Sequence, residues 1–317
     1  KRDLLKTFFK LNKIVACLIF IYLNLRENQN IIDNILNFGL LKIFKIIFVC
    51  VLSILIYSKL ILLTLRHICN LKILNSKWNL IYFNSQFLNS IPFLGILYRA
   101  KQLKNLNLGY DKFFAVYLMI TWLYLFLTLL FISFELLIFM PDYKFLNINL
   151  YYLTLVCCIF VIIIPLVFLK LIQFTFKKYL INKNYLSKIK ILLSIFDITT
   201  HKSVFLRKFI FFFIFLHISE FLIFFELMSG LKLDLCLYDG YLFFIGMSLV
   251  DTINILPQNI LISDIGYGFV TKYLEEDFQL GVICKLYLRF MIFTSSILIA
   301  VVYSIYINIF QKKLKNA

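Results

Sequence analysis

Long apolar runs separated by short basic or polar connections make up most of the chain. Runs fall at Ile14–Leu25, within Ile46–Leu65, at Phe114–Phe139, Leu150–Leu169, Phe209–Leu227, Tyr241–Leu256, and within Leu280–Phe310. A helix that is apolar on every side belongs in lipid or in a large core, and crossing a bilayer takes roughly 20 such residues. The short alternating strands of a membrane β-barrel are absent from the sequence. The pattern predicts an all-α, polytopic transmembrane bundle of about eight spans. It divides into possible pseudo-repeat halves near 1–145 and 146–317. Met140-Pro141-Asp142 is expected to end the third run, and Pro165 to kink the fourth, because proline cannot continue a helix.

Two places break the apolar pattern. One is Asn89-Ser90-Ile91-Pro92-Phe93-Leu94-Gly95, followed by Arg99. The other is the stretch from Asn254 through Pro257, Gln258, Asn259 and Asp264 to Gly268. Irregular backbone at membrane depth survives only where protein or water satisfies its amides. Broken segments at corresponding places in two halves point to a transporter's substrate site. Leu80–Leu97, broken at Pro92, reads as a re-entrant element or an interfacial hairpin.

Charge sets the orientation. Lys and Arg concentrate at the N-terminus, in 66–112, in 170–208 and in the C-terminal tail, so those parts are expected on the cytoplasmic side. The connections near Asp142 and Asp234–Asp239 lack that excess and are expected outside. Seven crossings would put the two basic termini on opposite faces, so residues 257–274 are expected to supply an eighth, as a broken span or as paired half-helices. Ile189, Leu192, Leu193, Ile195 and Phe196 have the spacing of an amphipathic helix on the membrane surface.

Composition supports this class. The chain of 317 residues is 62% hydrophobic and carries a formal charge of +17, with a mean hydropathy of +0.91. The positive charge lies between apolar runs, as the positive-inside rule requires, and no nucleic-acid-binding motif accompanies it. Enrichment in Lys, Asn, Ile, Leu, Phe and Tyr suits an AT-rich genome, as in an endosymbiont or an organelle. No small-residue cleavage site follows the basic start, so a cleaved signal peptide is not expected; Lys1 in place of Met suits a trimmed start. The seven cysteines show no metal spacing and read as small buried hydrophobes. No P-loop, GxGxxG, HExxH or GxSxG is present. No catalytic residue, metal or cofactor is therefore expected.

Charged residues inside spans are costly and mark function. Arg289 is placed either to grip a lipid phosphate as a bidentate fork or to snorkel to the interface. Asp264 either pairs with Arg289 or Arg99, or caps a helix whose N-terminus faces the site. Arg99 is either a partner of the same headgroup or a solvated loop charge. Pro92, Pro257 and Asn259 belong to the breaks themselves. His217 and Glu220, three apart on one face, are expected to form a satisfied interior pair. Glu135, Glu226 and Asp251 read as interfacial.

At the two proline segments the chain resembles the transmembrane, flippase-like domain of the lysylphosphatidylglycerol synthase family. The residues that carry the resemblance are Leu256-Pro257-Gln258-Asn259-Ile260-Leu261-Ile262-Ser263-Asp264 and Tyr287-Leu288-Arg289. In the first half they are Pro92-Phe93-Leu94-Gly95, Arg99-Ala100, Leu103, and Leu106 to Gly109. Gln258, Asn259 and Leu261 stand where that family has small residues or glycine, and Asp264 where Glu is usual. The resemblance implies translocation of an anionic or modified phospholipid, or a polyprenyl-linked lipid, by a stand-alone inner-membrane protein without the synthetase domain. Membrane phospholipids would be its partners, with a possible homo-oligomer. The alternative from composition is an organelle-encoded structural subunit of a respiratory or ATP-synthase complex in the mitochondrial inner membrane, with partner subunits. A weaker third reading, a transferase using a polyprenyl donor, lacks the acidic pair it would need.

Overall fold

A computed structural model describes residues 39–88, 94–145, 148–178, 203–230, 237–253, 260–274 and 278–315. Nine helices occur among these residues. They are α1 Leu40–Cys69, α2 Asn75–Leu88, α3 Leu94–Lys104, α4 Tyr110–Phe139, α5 Leu150–Lys178, α6 Ser203–Gly230, α7 Leu237–Ile253, α8 Ile260–Tyr273 and α9 Phe278–Lys315. Two-residue strands, β1 Lys144–Phe145 and β2 Ile148–Asn149, pair antiparallel between α4 and α5, with Lys144 opposite Asn149.

Most of the apolar runs that the structure describes lie within longer helices. Among the described residues, α1, α4, α6 and Phe278–Tyr306 of α9 are each long and apolar enough to cross a membrane. Together with the composition they fit an integral membrane protein. Helix α1 ends where Asn70 turns into the left-handed region, at φ 49°, a conformation common at helix C-termini. At the end of α4 the Met140 amide closes a last bond to the Leu136 carbonyl, 2.8 Å, and Pro141 follows, as expected from the sequence. Helix α5 runs through Pro165.

The succession of lengths repeats. Helices of 30, 14, 11 and 30 residues form α1 to α4; helices of 28, 17, 14 and 38 form α6 to α9. The packing follows the same order. Helix α1 packs along α6, α2 against α3, and α7 against α8; the short helix α2 also meets α9, while α7 meets α4. Each pair of short helices thus leans on the long helix that closes the other series.

Two apolar clusters form the interior. One gathers Leu60, Trp78, Phe83, Leu103, Phe113 and Phe209 around α1–α4. The other gathers Leu136, Leu227, Phe243, Met247, Tyr267 and Met291 around α6–α9. Outside, Phe44 and Phe48 of α1, Phe160 and Leu171 of α5, and Phe211 and Phe215 of α6 are exposed. A contiguous apolar surface of this kind belongs against lipid or a partner.

Helices α7, α8 and α9 pack closely because glycines open the way. A Cβ on Gly281 of α9 would stand 2.3 Å from the Tyr267 carbonyl oxygen of α8, and one on Gly246 of α7 would stand 2.6 Å from a methyl of Val270. Small residues at such contacts let helix backbones approach in a membrane. This approach brings the polar side chains of the three helices together.

Candidate functional site

Helices α7, α8 and α9 carry two linked polar groups. In the first, Arg289 of α9 reaches α8: its Nη1 donates to Asp264 Oδ2 at 2.8 Å and its Nη2 to Ser263 Oγ at 2.6 Å. Ser263 and Asp264 are buried, Asp264 at 3% exposure. The second carboxylate oxygen, Asp264 Oδ1, is buried without a hydrogen-bond partner. Asp264 therefore neutralises the arginine and keeps one free acceptor.

In the second group, the Tyr267 hydroxyl of α8 donates to Asp251 Oδ2 of α7 at 2.6 Å. Lys285 of α9 donates from Nζ to Asp251 Oδ1 and, at 3.3 Å, to the Tyr267 hydroxyl oxygen. Its ammonium also stands 4.4 Å from the Tyr267 ring centroid. Lys285 precedes Arg289 by four residues, so one face of α9 presents both cations. Each meets a carboxylate from a different helix, which staples α7, α8 and α9 together by charge.

Polar contacts continue into the other long helices. Tyr124 of α4 donates its hydroxyl to Glu220 of α6. Glu220 lies within electrostatic reach of His217, Asp251 and Lys285. His217 Nε2 bonds Glu135 Oε1 of α4 at 3.1 Å. His217 Nδ1 is buried without a hydrogen-bond partner, and the Tyr241 hydroxyl lies against Glu135. At the edge, Lys45 of α1 pairs with Glu226 of α6 at 3.0 Å.

Several expectations from the sequence change here. His217 and Glu220 do not pair with each other; each faces α4, to Glu135 and Tyr124 respectively, because the packing of α4 on α6 offers closer partners than one turn of α6. Glu135 and Asp251 lie near the ends of α4 and α7, and each also holds a partner on another helix. Asp264 is the fifth residue of α8 rather than its cap, because the helix begins at Ile260. Arg289 does not snorkel from a helix start: it lies twelve residues into α9 and pairs inward. Arg99 is not a solvated loop charge. It is buried on α3 at 4% exposure, with its guanidinium over the rings of Tyr82 and Tyr117. The structure thus brings Asp264 and Arg289 together and places Arg99 in a separate aromatic setting. Pro92, Pro257 and Asn259 lie outside the described residues, as do the first run, Ile14–Leu25, and the amphipathic stretch at 189–196.

Lys285 and Tyr267 are site residues that sequence reasoning missed. The available signal was Lys285 standing four residues before Arg289 inside the last apolar run. Among the described residues no group of three or more His, Cys, Asp and Glu side chains is arranged to hold a metal ion. Cys50, Cys158 and Cys284 are buried, and none of the described cysteines is in a disulfide.

Comparison with family models, with curated proteins and with solved structures finds no match to this chain.

Proposed function

We propose that this protein moves a lipid with an anionic headgroup between the leaflets of its membrane. The observation that carries this reading is the charged cluster of Asp251, Asp264, Lys285 and Arg289, held among three closely packed helices of an otherwise apolar bundle. Such groups are expensive at membrane depth and are retained where a polar cargo passes. Asp264, with one oxygen on Arg289 and the other free, is suited to let go of the arginine as a headgroup arrives.

The repeated succession of helices supports the same reading. We read α1–α4 and α6–α9 as two repeats, each carrying a hairpin of short helices next to a proline segment. The described parts of α7 and α8 have 17 and 14 residues; at about 1.5 Å per residue each described part is shorter than the roughly 30 Å hydrocarbon core. The expected eight crossings would need both to cross separately. Six crossings plus two hairpins also keep both basic termini in the cytoplasm, with α2–α3 entering from the inner face and α7–α8 from the outer. Hairpins entering from opposite faces meet at mid-depth, where transporters bind their cargo.

The test is headgroup transport in proteoliposomes, using fluorescent phosphatidylglycerol and a membrane-impermeant quencher. The wild-type chain is expected to expose the inner-leaflet label, and Arg289→Ala to abolish that exposure while still inserting and folding. Transport by Arg289→Ala at the wild-type rate would remove the role given to Arg289. Failure of the wild-type chain to transport, together with its recovery in a large cofactor-bearing assembly, would replace this reading with that of a structural subunit.

A further inference from the structure

Four cations of the described residues have acidic partners. Lys45 pairs with Glu226, His217 with Glu135, Lys285 with Asp251 and Arg289 with Asp264. Arg99 pairs with no carboxylate among the described residues, although it is as buried as Asp264. Its Nε has no hydrogen-bond partner. The guanidinium carbon stands 5.4 Å from the Tyr82 ring centroid and 5.2 Å from that of Tyr117. Ring faces attract a cation, but they neutralise nothing and accept little from its N–H groups. Close by, the Tyr117 hydroxyl is also buried and without a partner, and the Tyr57 ring lies within electrostatic reach.

Arginine cannot shed its proton to escape this burial, and a buried charge without a counter-charge is strongly disfavoured. Two adjacent groups able to donate, one of them cationic, call for an oxyanion. Between α2, α3 and α9 lies an open cavity of about 550 Å³, within the usual size range of a ligand site. Asn84 and Leu88 of α2, Tyr98 of α3, and Ile297, Ala300 and Val301 of α9 line it. Apart from Asn84, Ser304 and the Tyr98 hydroxyl, the lining side chains are apolar, as an acyl chain would require. Tyr98 lines the cavity and directly precedes Arg99 on α3.

We propose that Arg99 and Tyr117 bind the phosphate of an anionic membrane lipid, with one of its acyl chains in the cavity between α2, α3 and α9. The assignment deepens the lipid-transport reading and rests on it. It places the resting headgroup on α3, because Arg289 is already neutralised by Asp264 whereas Arg99 awaits its anion.

The experiment is native mass spectrometry of the full chain in detergent, titrated separately with dioctanoyl phosphatidylglycerol, dioctanoylglycerol and inorganic phosphate. Saturable binding of the phosphatidylglycerol is expected. Removal of one partner from a buried charge pair predicts that Arg99→Met binds it at least about 30-fold more weakly. Tyr117→Phe should lose less, and Arg99→Lys should fall between wild type and Arg99→Met, because an ammonium keeps the charge without the planar fork. Lys101→Met, which removes an exposed cation from the same helix, should bind as wild type does. Dioctanoylglycerol and inorganic phosphate, each lacking half of the recognised structure, should bind far more weakly. Without lipid, Arg99→Met should melt higher than wild type, because it no longer buries an unpaired charge; that melt also shows that the variant folds. The proposal is overturned if Arg99→Met binds the phosphatidylglycerol like wild type, or if inorganic phosphate binds as well as the lipid. If Arg289→Met abolishes lipid binding and Arg99→Met does not, the headgroup belongs on α8–α9 and only this assignment falls. If the wild-type chain binds at Arg99 yet transports nothing, the site stands and the transport reading falls.

Discussion

At the scale of single residues, charge inside an apolar run was the most informative feature of the sequence, and partner choice the least. Asp264 and Arg289 could be singled out because each is a charge within a largely apolar segment, and the structure joins them at 2.8 Å. The partners of His217 and Glu220 were not legible. Their spacing brings them onto one face of α6, but α4 presents Glu135 and Tyr124 to that face, and only the packing of α4 on α6 decides which bonds form. Buried pairs of this kind behave asymmetrically. Arg289→Met strands the Asp264 carboxylate and should lower the unfolding free energy by about 3 kcal/mol, whereas the double variant Arg289→Met with Asp264→Leu should regain most of it. Chemical denaturation in detergent, arranged as a double-mutant cycle, reads the difference. Equal losses in the single and double variants would mean that the two side chains are not coupled.

At the scale of elements, the long helices were legible because a bilayer-length apolar run leaves a backbone few other ways to satisfy its amides. The short helices were visible only as interruptions, and their mutual packing was not visible at all. Gly281 illustrates why. In sequence it is one small residue near the start of the last run; in the structure it is the point where α9 passes the backbone of α8, with no room for a methyl group. Gly281→Ala should therefore push α8 and α9 apart, at a cost of roughly 1–3 kcal/mol or more from overpacking. The same shift should weaken the Asp264–Arg289 pair, so thermal melting and headgroup transport should fall together. Wild-type melting in Gly281→Ala would contradict the close approach of α8 and α9.

At the scale of the whole molecule, the path of α7 and α8 sets the number of crossings. Both arrangements put the connection at 275–277 outside, so only the residues between the two helices separate them. A cysteine introduced at Gln258, with the seven native cysteines replaced, should resist a membrane-impermeant maleimide applied from the cytoplasmic face if α7–α8 is a hairpin entering from outside. A cysteine at Glu276 should react from the outer face and serves as the positive control. Strong cytoplasmic labelling at Gln258 would mean that α7 and α8 cross separately and that the bundle has eight spans.

The sequence by itself determined the solvent this protein is made for and the positions of the long helices among the described residues. Each of these follows from the free energy of transferring local segments between water and lipid, a sum over neighbours in the chain. Tertiary structure alone decided that Lys285 and Tyr267 join Asp251, that α7, α8 and α9 meet through glycines, and that Arg99 is buried between the rings of Tyr82 and Tyr117. Those outcomes depend on which helix lies beside which. They arise from contacts between residues far apart in sequence, and the pattern along one strand of chain carries no term for them.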